Sequence, residues 1–266
     1  MFIPLHDANA LKHVKRQYVT LALIAINILI FLITATPQIS DAKEANAIFF
    51  SFGFVPAVVN DIATLPIDFV VLPETASYFT YAFLHVDFMH VAGNMLFLWV
   101  FGDNVEDAMG HFKFLIFYLL CAAAGALAHS LVIPASQAPL IGASGATAGV
   151  VGAYLLLHPH VKIWILALGR IPLRLSAMWI LGAWIAYQIF SFIVFDGTQV
   201  SWAAHLGGIL AGIILIPFMK SSNVSLFDKN LPNADPSVPS IANKEKTKIP
   251  STKPKLSRDW GRPEDQ

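Results

Sequence analysis

The 266 residues are 56% hydrophobic and only 13% charged, with a mean hydropathy of +0.63. A soluble domain carries about a quarter of its residues charged, so this composition excludes one and reads as a polytopic membrane protein. Lys plus Arg and Asp plus Glu both number 17, so no charge excess points to nucleic acid or acidic substrates, and the lone Cys121 excludes an internal disulfide or a multi-cysteine metal site.

Residues 1–16 form a polar head with Lys12, His13, Lys15 and Arg16. The apolar run from Tyr18 to Thr36 is a full span long and has no small-residue cleavage pattern close behind it, so it is expected to stay in the protein as a first span. From Pro37 to about Thr75 the chain is mixed, and its aromatic stretch from Ile48 to Pro56 is too short and broken to cross and is placed in the membrane interface. A second span is expected from Phe83 to Phe101 and a third from Phe112 to Ile133.

After the turn-like segment from Pro134 to Pro139, a run of small residues around Ser144 opens a fourth apolar segment that ends before Pro159. Its length of about 15 residues, or roughly 22 Å, falls short of the roughly 30 Å of a bilayer core. The helix must therefore start or stop inside the membrane, where irregular backbone is tolerated only if buried in protein or lining a wet cavity. An amphipathic connector through Arg170 and Arg174 leads to a fifth span, Leu175 to Phe195, and a sixth runs from Trp202 to Met219. Residues 221–266 are polar and read as a disordered tail. The expectation is an all-α polytopic protein of six spans: a head at 1–16, a bundle at 17–220 and the tail. Lys and Arg concentrate in the head, the second-to-third loop, the fourth-to-fifth connector and the tail, which puts both ends inside.

Polar side chains within spans are costly and mark candidate sites. Three segments entered from the outer side carry them near that end: His90 and Asn94, four apart and so on one helical face; Ser144; and His205. A serine hydroxyl is a weak nucleophile until a base takes its proton, and histidine suits that role near neutral pH. Ser144 and His205 supply the pair. No carboxylate lies at their depth on the last three spans, so a dyad without an orienting aspartate is expected. Free backbone N–H groups where the Ser144 helix begins, with His90 and Asn94 facing them, are candidate oxyanion donors. Singly, each has a plainer reading: a membrane serine bonding a carbonyl four residues back, an asparagine joining helices, a histidine that is structural or relays protons. Their joint occurrence at one depth, with Gly208 and Gly212 spaced for close helix approach, favours the catalytic one. His158 and His160 around Pro159 lack a third ligand and make no metal site.

The segments His85 to Asn94, Gly142-Ala143-Ser144-Gly145 and Ala204-His205-Leu206-Gly207-Gly208 resemble those of the rhomboid intramembrane serine proteases, in that family's order. The resemblance covers roughly residues 1–220. It implies a six-helix bundle with a large outer loop at about 37–80 between the first two spans, Ser144 as nucleophile, His205 as general base and acid, and His90, Asn94 and the Ser144 N–H as the oxyanion hole. It implies no cofactor, transmembrane proteins as substrates cut near the outer face, and residence among lipids in a bacterial inner membrane. Asp103 to Glu106 resemble the family's inner-end cap. Two departures stand out: Ala148 takes the place of an aromatic that packs on the catalytic histidine in some members, and the first loop lacks a Trp-Arg pair. Trp202 and Tyr154 are the rings that would compensate. The competing reading is a non-catalytic rhomboid-like protein that binds membrane clients, or a transporter with a histidine proton relay.

Overall fold

The structure, a computed structural model, describes residues 2–35, 42–194 and 201–228, with the side chains of 42–45 excepted. Strand β1 (Phe2–Asp7) leads into helix α1 (Tyr18–Thr34). The outer segment holds α2 (Ala42–Phe52), α3 (Pro56–Val59), α4 (Ser77–Thr80) and single turns of tighter helix, the last of them Tyr81–Phe83. Then come α5 (Phe88–Met109), α6 (His111–Val132), α7 (Ser144–Leu157), the strands β2 (Lys162–Ala167) and β3 (Ile171–Ser176), α8 (Ala177–Val194) and α9 (Trp202–Met219). The part of the first loop at 37–41, Phe195 at the end of the fifth expected span, and the tail from 229 lie outside the described residues. Of that tail, residues 221–228 fold back: Ser221 N–H donates to Ala108 O, and Phe227 and Asp228 N–H donate to Leu156 O and Leu157 O.

Among the described residues, α6, α8 and α9 are long and apolar enough to cross a membrane, and a fourth crossing arises if the bent pair Glu74–Phe83 and Phe88–Met109 counts as one. Helix α1, with 17 residues, and α7, with 14, are shorter apolar helices. The protein is thus a mainly helical membrane bundle.

Two elements depart from expectation. The second span does not start at Phe83. The chain bends by 86° there, because Leu84 and Asp87 take extended backbone, and α5 begins only where Asp87 accepts a hydrogen bond from His90 N–H at 2.8 Å. The helix then runs past Phe101 to Met109, where Gly110 at φ +82 ends it. Second, the fold is not all-α. The head and the amphipathic connector form one antiparallel sheet in the order β1-β2-β3. Lys162-Ile163-Trp164-Ile165 alternates outward and inward, with Ile163 and Ile165 buried, which is the strand period. Leu168 and Gly169 both take positive φ, and Arg170 N–H closes the turn on Ala167 O, the geometry that matches strand twist in a hairpin. Pro172 is tolerated because β3 is the sheet's edge.

The inner end of α5 explains how the head is held. Buried Glu106 accepts from Val19 N–H, Thr20 N–H and the Thr20 hydroxyl, so a carboxylate from another helix caps α1, which has no side-chain cap of its own. Asp107 accepts from the successive N–H groups of Lys12, His13 and Val14 at 2.6 to 3.0 Å. Asp7 accepts from the Tyr154 hydroxyl at 2.6 Å and from Asn104 Nδ2 at 2.9 Å, which ties β1 to α7 and α5 together. Charged residues that would be prohibitive in lipid therefore sit where N–H donors meet them.

Helices α7 and α9 meet backbone to backbone. A Cβ added at Gly208 would collide with Gly145 O, and one added at Gly212 with Gly149 O. Gly152 lies against Ile209 O, 2.8 Å from where its own Cβ would stand. Two glycine pairs one turn apart on each helix remove the side chains that would hold the backbones apart.

Two outcomes follow. Gly208→Ala and Gly212→Ala should each lower stability by ~1–3 kcal/mol through overpacking, measured by thermal unfolding in detergent, whereas Gly182→Ala in α8, with open space around it, should be neutral or mildly stabilising. His158, just beyond α7 and packed edge-on against Tyr154, is pushed down to about 4, first by burial and then by the positive charge of Lys12. Its folded state resists protonation, so its contribution is intact above the ordinary 6.5 and is lost as pH falls through about 4. The unfolding temperature should drop across that window, and less steeply in His158→Gln.

Candidate active site

Ser144 is the first residue of α7, and the residues before it are held in three places. Leu140 pairs with Phe54 by a two-way backbone bridge, Gly142 N–H donates to Tyr81 O at 3.0 Å, and Ala143 N–H reaches toward His85 Nε2 at 3.5 Å. Gly142 takes φ +121 and lies against the imidazole of His90, with His90 Nε2 2.5 Å from where a Cβ would project. Glycine is therefore required there twice, for its backbone and for its size.

Helix α7 opens without a side-chain cap, and its first intrahelical bond runs from Thr147 N–H to Ala143 O. The N–H groups of Ser144, Gly145 and Ala146 stand ahead of that bond, at the positive end of the helix. Thr147 is the hydroxyl that bonds back along the helix, to Ala143 O and Ser144 O at 3.1 Å each; Ser144 Oγ forms no hydrogen bond among the described residues. The plainer reading of a membrane serine thus fits Thr147 rather than Ser144.

His205 sits on the first turn of α9, whose cap Ser201 accepts from Ala204 N–H at 3.2 Å. Ser201 Oγ also lies 2.6 Å from Nδ1 of His129 on α6, so buried His129 ties the end of α6 to the start of α9. Ala204 O lies against both Gly125 and Gly145, so the residues flanking Ser144 and His205 touch where the helices are closest. Ser144, His90 and His205 are each half-buried, and Asn94 is buried. Gly142, two residues before Ser144, lies against His90, and Gly145, just after it, lies against Gly208 of the His205 helix. The four candidate residues are thereby gathered at one end of the bundle.

Two partners escaped sequence reasoning. His85, almost fully buried, lies 3.1 Å from Asn94 Nδ2 and edge-on to His90 at 5.0 Å between centroids. Asn94 thus gives one amide hydrogen to His85 and keeps the second. The signal was the His85, His90, Asn94 spacing, but the bend before α5 hid it. Gln188 on α8 lies with Oε1 2.8 Å from His205 Nδ1. Of the two rings expected to compensate for Ala148, Trp202 does pack edge-on to His205 at 5.8 Å, while Tyr154 is engaged at the inner end with Asp7.

Comparison with known proteins shows the family. The model of the Rhomboid domain matches residues 73–222, which include every residue named above from His85 to His205. Among curated relatives, Rhomboid protein 1, mitochondrial, of Saccharomyces cerevisiae is 36% identical over 143 residues, 50% of this chain and 38% of that protein. Rhomboid-like protein 11, chloroplastic, of Arabidopsis thaliana is 28% identical over 151 residues, 54% of this chain and 52% of the relative. Rhomboid protease GluP of Bacillus subtilis is 30% identical over 151 residues, 57% of this chain and 27% of the relative. The chain thus spans about half or less of the length of these relatives. Organellar names stand beside a bacterial one, so the expected bacterial inner membrane gains no support from them. With more than half its length matched to that one domain, the chain belongs to the rhomboid family of multi-pass membrane proteins, proteases among them.

Proposed function

We propose that the protein is an intramembrane serine endopeptidase in which Ser144 and His205 form a catalytic dyad. The observation that carries this reading is the arrangement of α7 and α9. Two glycine pairs set the backbones of these helices against each other; one helix opens with a serine whose Oγ forms no hydrogen bond among the described residues, and the first turn of the other carries a histidine bonded on its Nδ1 side. His205 Nε2 takes the Ser144 proton as Oγ attacks the substrate carbonyl carbon. The resulting oxyanion accepts hydrogen bonds from the Ser144 N–H at the uncapped start of α7, with the second Asn94 amide hydrogen and His90 as side-chain donors. His205 then passes its proton to the departing amine, leaving an acyl-enzyme. Water, deprotonated by the same imidazole, releases the second product and restores Ser144.

The substrates in this reading are transmembrane proteins cut near the outer end of their helix, where the segment unwinds to present an amide. The proposal includes six crossings, with the short α7 mostly buried within the bundle and its missing length filled by the loop from Pro134 to Ala143. Both ends share the inner side, where β1 to β3 and the Lys and Arg residues of the loops lie, with Lys43 alone in the opposite loops.

Purified protein in detergent should cleave a model transmembrane substrate, and Ser144→Ala and His205→Ala should reduce cleavage to background. A fluorophosphonate probe should label wild type and not Ser144→Ala. Equal cleavage by all three proteins would refute the dyad. Asn94→Ala should lower kcat by roughly 10²-fold if its amide serves the oxyanion.

A further inference from the structure

We propose that Gln188 is the positioning residue for His205: its side-chain oxygen accepts the Nδ1 proton and so fixes the imidazole tautomer that leaves Nε2 free as a base. This rests on the dyad reading above. The second half of helix α8 carries large apolar side chains outward, with Tyr187, Ile189, Phe190, Phe192, Ile193 and Val194 all exposed. Gln188 is turned the other way and only 3% exposed, beside buried Ser191. Burying a primary amide in a membrane helix is costly unless it is bonded, and the bond it makes is to His205 Nδ1 at 2.8 Å. An amide oxygen only accepts, so Nδ1 must carry the hydrogen and Nε2 the lone pair. In soluble serine proteases a carboxylate supplies that function, and losing the right tautomer is what disables them. Among the described residues no carboxylate bonds His205, and Ala148 offers no ring to hold the imidazole. Trp202, packed edge-on, restricts the ring's tilt but has no acceptor for Nδ1.

A plain helix-to-helix tie would also place an amide here, so the test reads the imidazole and not only activity. Three variants, Gln188→Leu, Gln188→Glu and Gln188→Asn, are assayed on a model transmembrane substrate in detergent beside Ser144→Ala. Gln188→Leu should lower kcat roughly ten- to a hundredfold, with KM within about twofold of wild type. Gln188→Glu keeps an acceptor at the same reach and should recover much of that loss. Its anionic form favours the imidazolium, so the acid limb of its kcat profile should move to higher pH. Gln188→Asn, one methylene short, should behave as the Leu variant does. Independently of turnover, nitrogen NMR of labelled histidine in the Ser144→Ala background should show His205 as the Nδ1–H tautomer, and as a mixture once Gln188→Leu is added.

Wild-type kcat, pH profile and tautomer in Gln188→Leu would overturn the positioning role and leave the dyad standing. A lowered kcat in Gln188→Glu with an unmoved acid limb, together with an unchanged tautomer in Gln188→Leu, would reduce Gln188 to a helix tie and also overturn it. Full cleavage by Ser144→Ala would instead sink the dyad itself, while the tautomer measurement would still report on Gln188. If Gln188→Leu fails to fold, Gln188→Glu and the NMR of the wild-type ring decide the matter.

Discussion

The backbone contact between α7 and α9 is the constraint on which the rest depends. A helix backbone presents its carbonyls to a neighbour only where side chains are absent, and Gly145, Gly149, Gly208 and Gly212 provide that absence on both helices. A hydroxyl on one helix and an imidazole on the other share a site only at such separations, because both side chains are short. Cys121 of α6 packs against Gly149, and Gly125 of α6 against Ala204 O, so the third helix is drawn into the same contact. No gain from hydrophobic transfer drives this association within lipid, so close packing must hold it.

The two ends of the bundle solve opposite problems. At the inner end, carboxylates are buried and the head is folded around them: Glu106 caps α1, Asp107 gathers three N–H groups, and Asp7 links a strand to α5 and α7. Every one of those negative groups faces donors. At the other end the donors of α7 are left open and Ser144 is left without a competing bond. The saturated end fixes the frame, and on the proposed reading the unsaturated end keeps groups available for a substrate.

The histidines at that end differ in what they meet. His129 and His85 serve as partners, one to the cap of α9 and one to Asn94, whereas His205 has Gln188 Oε1 on one edge and Trp202 on another. On the proposed reading this replaces a charged orienting group with a neutral one, which suits a membrane setting where a buried carboxylate is expensive.

Much of this was legible in the chain because hydrophobic runs and their breaks are local properties. The helices at 18–34, 111–132, 144–157, 177–194 and 202–219 lie within about two residues of the apolar runs that announce them, and Ser144, His205, His90, Asn94 and the glycine pair stand out as polar or small residues in apolar company. What the sequence withheld depends on partners distant along it. The sheet joins residues 2–7 to 162–176, so neither the head nor the connector could declare itself a strand alone. The cap of α1 comes from Glu106, some 86 residues away, and α5 continues past Phe101 because its carboxylates find donors that no local pattern reveals. Gln188 read as one polar residue on an otherwise apolar span, and only the packing of α8 beside α9 turned it toward an imidazole. Burial cost and periodicity act along the chain and fix where helices form; which polar groups meet is decided by packing, since hydrogen bonds between helices exist only once the backbones have come together.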